Sequence, residues 1–292
     1  MAIFNKYEKN PILGSKELGT CFDVYVTKEN DKYRMDFSWR KYNSCAVTFS
    51  DDGINWCEPK ITLPNRPESG FEERVNRNCV LKIDGKYKMW YTGQAREYSF
   101  ICYAESDDGL EFKRLEEPVM IPERPHEGAA VMNPCVIYEN GKYRMWYAAG
   151  ETYEPNVLCY AESDDGIEWK KSKINPIFVA DKNNVYEQAR VGGCQVVKTE
   201  DMGYVMAYIG YENIDKAQVC FAHSENGITG WQRLNGNPVV SPDDGAWDGD
   251  ACYKPSFLWN EDRKEWMLWY NGRKDHDEFI GLALSKKRNI FN

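Results

Sequence analysis

Asn133-Pro134-Cys135-Val136-Ile137-Tyr138-Glu139-Asn140-Gly141-Lys142-Tyr143-Arg144-Met145-Trp146-Tyr147, followed by Cys159-Tyr160-Ala161-Glu162-Ser163-Asp164-Asp165-Gly166-Ile167-Glu168-Trp169, decides the fold. It reads as strand, tight turn, strand, loop, strand and tight turn. Asn140-Gly141 between two apolar runs is a hairpin signal, because both central residues of such a turn need positive φ. The Lys-Tyr-Arg-Met element recurs at aromatic positions 33, 87, 143, 204 and 266, at steps of 54, 56, 61 and 62 residues. Ser-Asp-Asp-Gly recurs at 50–53, 106–109 and 163–166, and weakens to Ser224-Glu225-Asn226-Gly227. A period this long with four strands per unit predicts an all-β, five-bladed β-propeller with four antiparallel strands per blade. Five units fill all 292 residues as one domain, 1–292.

The two ends carry a closure signal. Trp169 precedes Pro176 by seven residues and Trp231 precedes Pro238 by seven; Phe4 and Pro11 have the same spacing with no repeat before them. The last repeat stops at Phe291, six residues after Ser285, as Trp169 lies six after Ser163. The N-terminal strand is therefore expected to join the last blade and close the ring, which removes an open sheet edge.

The net charge of −9 argues against nucleic acid and anionic membrane as partners. No apolar run approaches the ~18 residues of a membrane span. Residues 1–6 lack the ~7–15-residue apolar core of a signal peptide. Of ten cysteines, Cys102, Cys159 and Cys220 each lie four residues before the repeat serine, and Cys79, Cys135 and Cys194 share one inner-strand phase. Recurrence in phase points to equivalent packing sites, so these read as buried free thiols. No Cys-x-x-Cys pair suggests a metal. No metal and no cofactor is expected, and free thiols fit a cytoplasmic address.

Short turns share one face of the disc, and the long polar connections share the other. The latter include 94–98, 151–156 and 273–278 between second and third strands, and 64–74, 122–132, 180–191 and 241–252 between blades. Function concentrates on loops held by a rigid scaffold. Ser-Asp-Asp-Gly reads as turn chemistry, since Ser and Asp bond nearby N–H groups and Gly takes positive φ. The informative positions are those that break the repeat where the inner strand leaves the loop face. One tier holds Asp23, Arg77, Asn133 and Lys254, with Gly192 and Arg190 marking the fourth blade. A second tier upstream holds Glu72, Glu127, Glu187 and Asp248, with Asp250 between. Arg77 with Glu72 and Arg190 with Glu187 could be simple ion pairs, but acids and bases at the narrow end of five strands carry a desolvation cost.

A five-bladed ring with this repeat resembles the glycoside hydrolase superfamily of families 32, 43, 68 and 130 over the whole chain. Cys21-Phe22-Asp23-Val24 and Met132-Asn133-Pro134 resemble the family 43 Asp-Pro elements that open the first and third blades. The resemblance implies Asp23 as general base. Asn133 stands where a second Asp tunes the acid, and Ala189-Arg190-Val191-Gly192-Gly193 stands where Glu-Gly-Pro carries the acid, leaving Glu187 as an offset candidate. Glycoside cleavage needs an acid and a base or nucleophile about 5–5.5 Å apart for retention or about 6.5–9.5 Å for inversion. The candidate catalytic residues are thus Asp23, Glu187 and Asp248. The candidate substrate-binding residues are Arg77, Asn133, Arg190, Lys254, Glu72, Glu127, Asp250 and the stacking aromatics Trp247, Tyr98 and Tyr186. The expected function is glycoside hydrolysis on a carbohydrate substrate. Arg77, Arg190 and Lys254 keep open a phosphate-dependent phosphorylase, as in family 130. A non-catalytic carbohydrate-binding propeller is the remaining alternative.

Overall fold

A computed structural model describes residues 2–151 and 155–291. Part of the polar connection expected at 151–156 therefore lies outside the described residues. The chain is built almost wholly of strands: β1 (Asn5–Lys6), β2 (Cys21–Glu29), β3 (Lys32–Trp39), β4 (Ser44–Ser50), β5 (Lys60–Leu63), β6 (Arg74–Ile83), β7 (Lys86–Ala95), β8 (Tyr98–Ser106), β9 (Lys113–Arg114), β10 (Ala130–Glu139), β11 (Lys142–Gly150), β12 (Pro155–Ser163), β13 (Lys170–Lys171), β14 (Phe178–Val179), β15 (Arg190–Thr199), β16 (Gly203–Tyr211), β17 (Ala217–Ser224), β18 (Gln232–Arg233), β19 (Ala251–Asn260), β20 (Glu265–Lys274) and β21 (Asp277–Ser285). Among the described residues no helix is long and apolar enough to cross a membrane.

The tight turns form as their residues dictate. Asn140 and Gly141 take φ of 52° and 75°, and Asp84 and Gly85 take 51° and 81°, the left-handed pair that matches strand twist. The Ser-Asp-Asp-Gly turns are self-contained. Ser163 Oγ accepts the Gly166 N–H at 2.8 Å, and Asp165 Oδ1 accepts those of Ile167 and Glu168 at 2.8 and 2.9 Å. The same bonds recur at Ser50–Gly53, Ser106–Gly109 and Ser224–Gly227.

The sheets run β2-β3-β4-β5, β15-β16-β17-β18 and β1-β21-β20-β19, with a nine-stranded sheet between. That larger sheet is two antiparallel sets, β6-β7-β8-β9 and β10-β11-β12-β13, joined by one parallel pairing, Ala130 with Ser99. Short β14 adds to β12. Three pairs of sets meet through the same contact. The indole N–H of Trp90 donates to Gly166 O at 2.7 Å, that of Trp146 to Gly227 O at 2.7 Å, and that of Trp269 to Gly53 O at 2.9 Å. Each of these tryptophans is fully buried, a gross transfer free energy of about 4–6 kcal/mol apiece. A second line of bonds links the innermost strands. Val136 N–H donates to Cys79 Sγ, Val196 N–H to Cys135 Sγ, Phe257 N–H to Gln195 Oε1, and Val26 N–H to Ser256 Oγ. The last of these ties β19 to β2. Nine of the ten cysteines are buried and unpaired; Cys57 is exposed.

The N-terminus plays the outer-strand part in the last sheet. Asn5 and Lys6 pair with Leu284 and Ala283, and Phe4 is buried against Phe221. The Asn10 side chain exchanges two bonds with the backbone of Leu282. Asn175 does the same with Tyr160, and Asn237 with Phe221. The three residues precede Pro11, Pro176 and Pro238, so the spacing read from the sequence marks one repeated clamp.

Candidate active site

Every innermost strand is interrupted where it nears the loop face. The register slips between Phe22 and Tyr25, Asn76 and Cys79, Met132 and Cys135, and Tyr253 and Ser256. In the fourth set it slips between Gly192 and Cys194. Inside the slips, Asp23, Arg77, Asn133 and Lys254 take φ of 57°, 54°, 54° and 47°. A non-glycine residue in this region costs on the order of 1 kcal/mol, and a bulge re-aims the side chain it carries. Four strained residues at one phase therefore turn four polar side chains out of the sheet pattern and into a shared space. All four line a single cavity of about 350 Å³. At Gly193 in the fourth set, a Cβ would stand 2.6 Å from Asn133 Cγ, so that position must be bare for Asn133 to enter.

Asp23 is buried, and its Oδ2 accepts the Ser38 hydroxyl at 3.0 Å. Ser38 Oγ in turn accepts the Arg77 N–H at 3.0 Å, while Arg77 Nε stands 3.9 Å from Asp23 Oδ1. Thr92 repeats the device by accepting the Asn133 N–H at 3.1 Å. Glu278, at the start of β21, lines the same cavity. Arg40 Nη2 donates to its Oε1 at 2.8 Å, and the Tyr253 hydroxyl also bonds the carboxyl. Burial pushes the Glu278 carboxyl up, and the Asp23 charge adds to this, against the opposing pull of Arg40 and Tyr253. Asp23 and Glu278, two of the three acids lining the cavity, thus differ in environment.

The second tier of acids lies elsewhere. Glu72, Glu127, Glu187 and Asp248 are all fully buried, and none lines the cavity. Each holds a tyrosine of the second strand and a cation from an outer strand or the loop beside it. Glu187 accepts Tyr208 OH at 2.9 Å and Arg233 Nε at 2.5 Å. Glu127 accepts Tyr147 OH at 2.9 Å and Lys171 Nζ at 2.8 Å. Glu72 accepts Tyr91 OH, and Arg66 Nε at 2.9 Å, and Arg114 Nε stands 3.5 Å from its Oε1. Asp248 accepts Tyr270 OH at 2.9 Å and Lys6 Nζ at 2.6 Å, so β1 supplies to the last sheet what Lys171 and Arg233 supply to theirs. Glu187 and Asp248, the catalytic candidates read from the sequence beside Asp23, therefore do not share its cavity. Four copies of one buried carboxylate–tyrosine–cation cluster serve the packing. Phe4-x-Lys6, Phe112-x-Arg114, Trp169-x-Lys171 and Trp231-x-Arg233 share one spacing, a signal that could have assigned cations to these acids. The sequence-level pairs differ too: Arg77 stands by Asp23 rather than Glu72, and Glu187 holds Arg233 rather than Arg190.

Other candidates fall outside the cavity wall. Arg190 lies over the Tyr211 ring, 5.9 Å from its centroid, with Nη1 3.8 Å from Glu151. Asp250 binds Lys274 Nζ at 2.8 Å and the Asp275 N–H at 2.6 Å. Trp247 packs on Tyr270, and exposed Tyr98 stacks on Phe100. Tyr186 sits beside the Glu187 cluster. Glu278, Asp215, Arg40 and Arg273 do line the cavity and were not singled out from the sequence. They lie on or beside connections between second and third strands, where the repeat has no phase to reveal them.

An all-β scaffold with a polar cavity that holds paired carboxyl groups among its wall residues has the layout of a glycoside-processing enzyme. Residues 24–187 match the model for the glycosyl hydrolases family 32 N-terminal domain. The chain belongs to that family of glycoside hydrolases. It is 25% identical over 221 residues, 72% of its length and 71% of the relative's, to an uncharacterised protein of Mycobacterium tuberculosis. It is 27% identical over 130 residues, 39% of its length and 43% of the relative's, to a beta-1,2-mannobiose phosphorylase of a Thermoanaerobacter species. A solved structure described under "The GH130 family of mannoside phosphorylases contains glycoside hydrolases that target beta-1,2 mannosidic linkages in Candida mannan" superposes with a TM-score of 0.77 at 15% identity, covering 99% of this chain and 95% of that one.

Proposed function

We propose that this protein hydrolyses a glycosidic bond in the cavity shared by Asp23 and Glu278. The observation that carries the reading is the contrast between the two carboxyls. Glu278 is pushed up by burial and by Asp23, which suits a general acid. Asp23 is held by the Ser38 hydroxyl, which fixes the carboxylate for work as base or nucleophile. Environments that separate two acids in this way separate their roles. Glu278 gives its proton to the leaving oxygen as the C1–O bond breaks. Asp23 takes a proton from the attacking water, or attacks C1 itself to form an ester that water, deprotonated by Glu278, then hydrolyses. Arg77, Asn133 and Lys254 grip the sugar. The five strand sets are five blades of one ring, closed where β1 joins β21, and the cavity is the mouth of its axis. Nine buried, unpaired cysteines support a reducing, cytoplasmic compartment.

The test uses paired glycosides of one sugar, with a nitrophenyl and an alkyl leaving group. Asp23→Asn should lower kcat/KM at least about a thousandfold on both, with ligand affinity kept within several-fold. Glu278→Gln should cost far more on the alkyl glycoside, because a nitrophenolate leaves without a proton. Equal losses on both leaving groups remove Glu278 from the acid role. A wild type that binds glycans and turns over no glycoside refutes the enzyme. The phosphorylase relative and the bases on the cavity wall favour phosphorolysis as second reading. A rate that saturates with inorganic phosphate and yields a sugar 1-phosphate would select it.

A further inference from the structure

Lys254 is a buried cation without a visible counter-ion among the described residues. Its residue is only 2% exposed, and it is held at φ 47° by the slip in β19. It lines the cavity, yet among the described residues it makes no hydrogen bond and no ion pair. Its charge reaches the thiols of Cys79, Cys135 and Cys194 on three other innermost strands, so it stands at the point where those strands converge. An ammonium taken from water needs an anionic partner to offset its desolvation. None of the three acids on the cavity wall, Asp23, Asp215 and Glu278, makes an ion pair with Lys254. Glu278 Oε1 is taken by Arg40, and Asp23 faces Ser38 and Arg77.

The surroundings repeat the imbalance. Bases on the cavity wall outnumber acids by five to three, in a chain whose net charge is −9. Arg273 Nε is buried with no hydrogen-bond partner. Hydroxyl groups of a neutral sugar would accept from Lys254 but leave its charge unbalanced. A carboxylate would balance it and accept from Arg77 as well, with a planar geometry that suits a guanidinium. Burying a further carboxylate beside Asp23 and Glu278 is tolerable only because these bases exceed the resident acids.

We propose that the glycoside carries its own carboxylate, as in a uronic acid, and that Lys254 with Arg77 forms the subsite that binds it. This rests on the glycosidase reading and names its substrate class. The binding arm uses glucuronate and galacturonate against glucose and galactose in titration calorimetry, so it needs no turnover. The uronates should bind roughly 10- to 150-fold more tightly than the neutral sugars. Lys254→Met should abolish that preference, and Lys254→Arg should keep most of it. Arg77→Gln should reduce it in a protein whose melting temperature is checked alongside. The turnover arm compares nitrophenyl uronosides with neutral hexosides. Uronate binding with no turnover of any glycoside would leave the subsite standing and sink the glycosidase. Neutral hexosides turned over or bound as well as uronosides would sink the subsite and leave the glycosidase. Inorganic phosphate bound through Lys254 without preference among sugars would also overturn it, as would no binding of any uronate.

Discussion

Replacing Glu187 separates a packing group from a chemical one. Its side chain is fully buried and meets Arg233 Nε at 2.5 Å, Tyr208 OH at 2.9 Å and the Asp181 N–H at 3.0 Å. Glu187→Ala strands a guanidinium and a phenol. Breaking one side of a buried pair costs about 3–5 kcal/mol. Arg233 keeps 23% of its side chain in water, which screens part of the stranded charge, so the lower end, about 3 kcal/mol, applies. For a chain of this size that is a fall in Tm of roughly 6–12 °C. Thermal unfolding at neutral pH should show it, and Arg233→Met should give a similar loss. The double variant should cost less than the sum, because the pair is coupled. Activity per folded molecule at 25 °C should stay within a few-fold of wild type. A Glu187→Ala protein that melts normally but loses kcat a thousandfold would refute this reasoning and return Glu187 to the catalytic pair.

Two further perturbations test the scaffold. Deleting residues 2–13 removes β1, the Asn10 clamp and the Lys6 partner of Asp248, so β21 becomes an open edge. Aggregation on size exclusion and a large fall in Tm are expected, and a stable monomer would contradict the proposed closure of the ring by β1. Acid should destabilise the turns and strand ends. Backbone N–H groups of Glu111 and Leu110 draw Asp108 down to about 2. Burial pushes Glu139 up, but Lys198, Tyr204 and Arg144 outweigh it and hold it at about 2. Their folded values lie below their unfolded ones, so their contribution is full above about pH 5 and is lost as pH falls toward 2. Glu278 is shifted the other way; its contribution is present at low pH and lost as pH rises. Denaturant midpoints from pH 6 to pH 2.5 should therefore fall, and a flat profile would contradict the hydrogen-bonded assignment of Asp108 and Glu139.

The fold was legible because a repeat states its own geometry many times. Asn140-Gly141, Ser163 to Gly166, and the shared spacing of Phe4 with Pro11 each encode a local contact that short-range rules predict. Alignment on that phase also found the inner tier. Asp23, Arg77, Asn133 and Lys254 fall at equivalent slips and line one cavity. What sequence could not decide is which acids share that cavity with Asp23. Glu187 and Asp248 looked close because they lie a few residues upstream on the same connections. Their side chains instead turn toward Tyr208 and Tyr270, and a cation that arrives from another strand neutralises each. Glu278 lies far from Asp23 in the chain and outside any repeated phase. Only the tertiary fold sets its carboxyl in the same low-dielectric space, where burial and the Asp23 charge raise it. Local bonding follows from neighbours in sequence, but desolvation and charge coupling depend on which distant strands the sheets bring together.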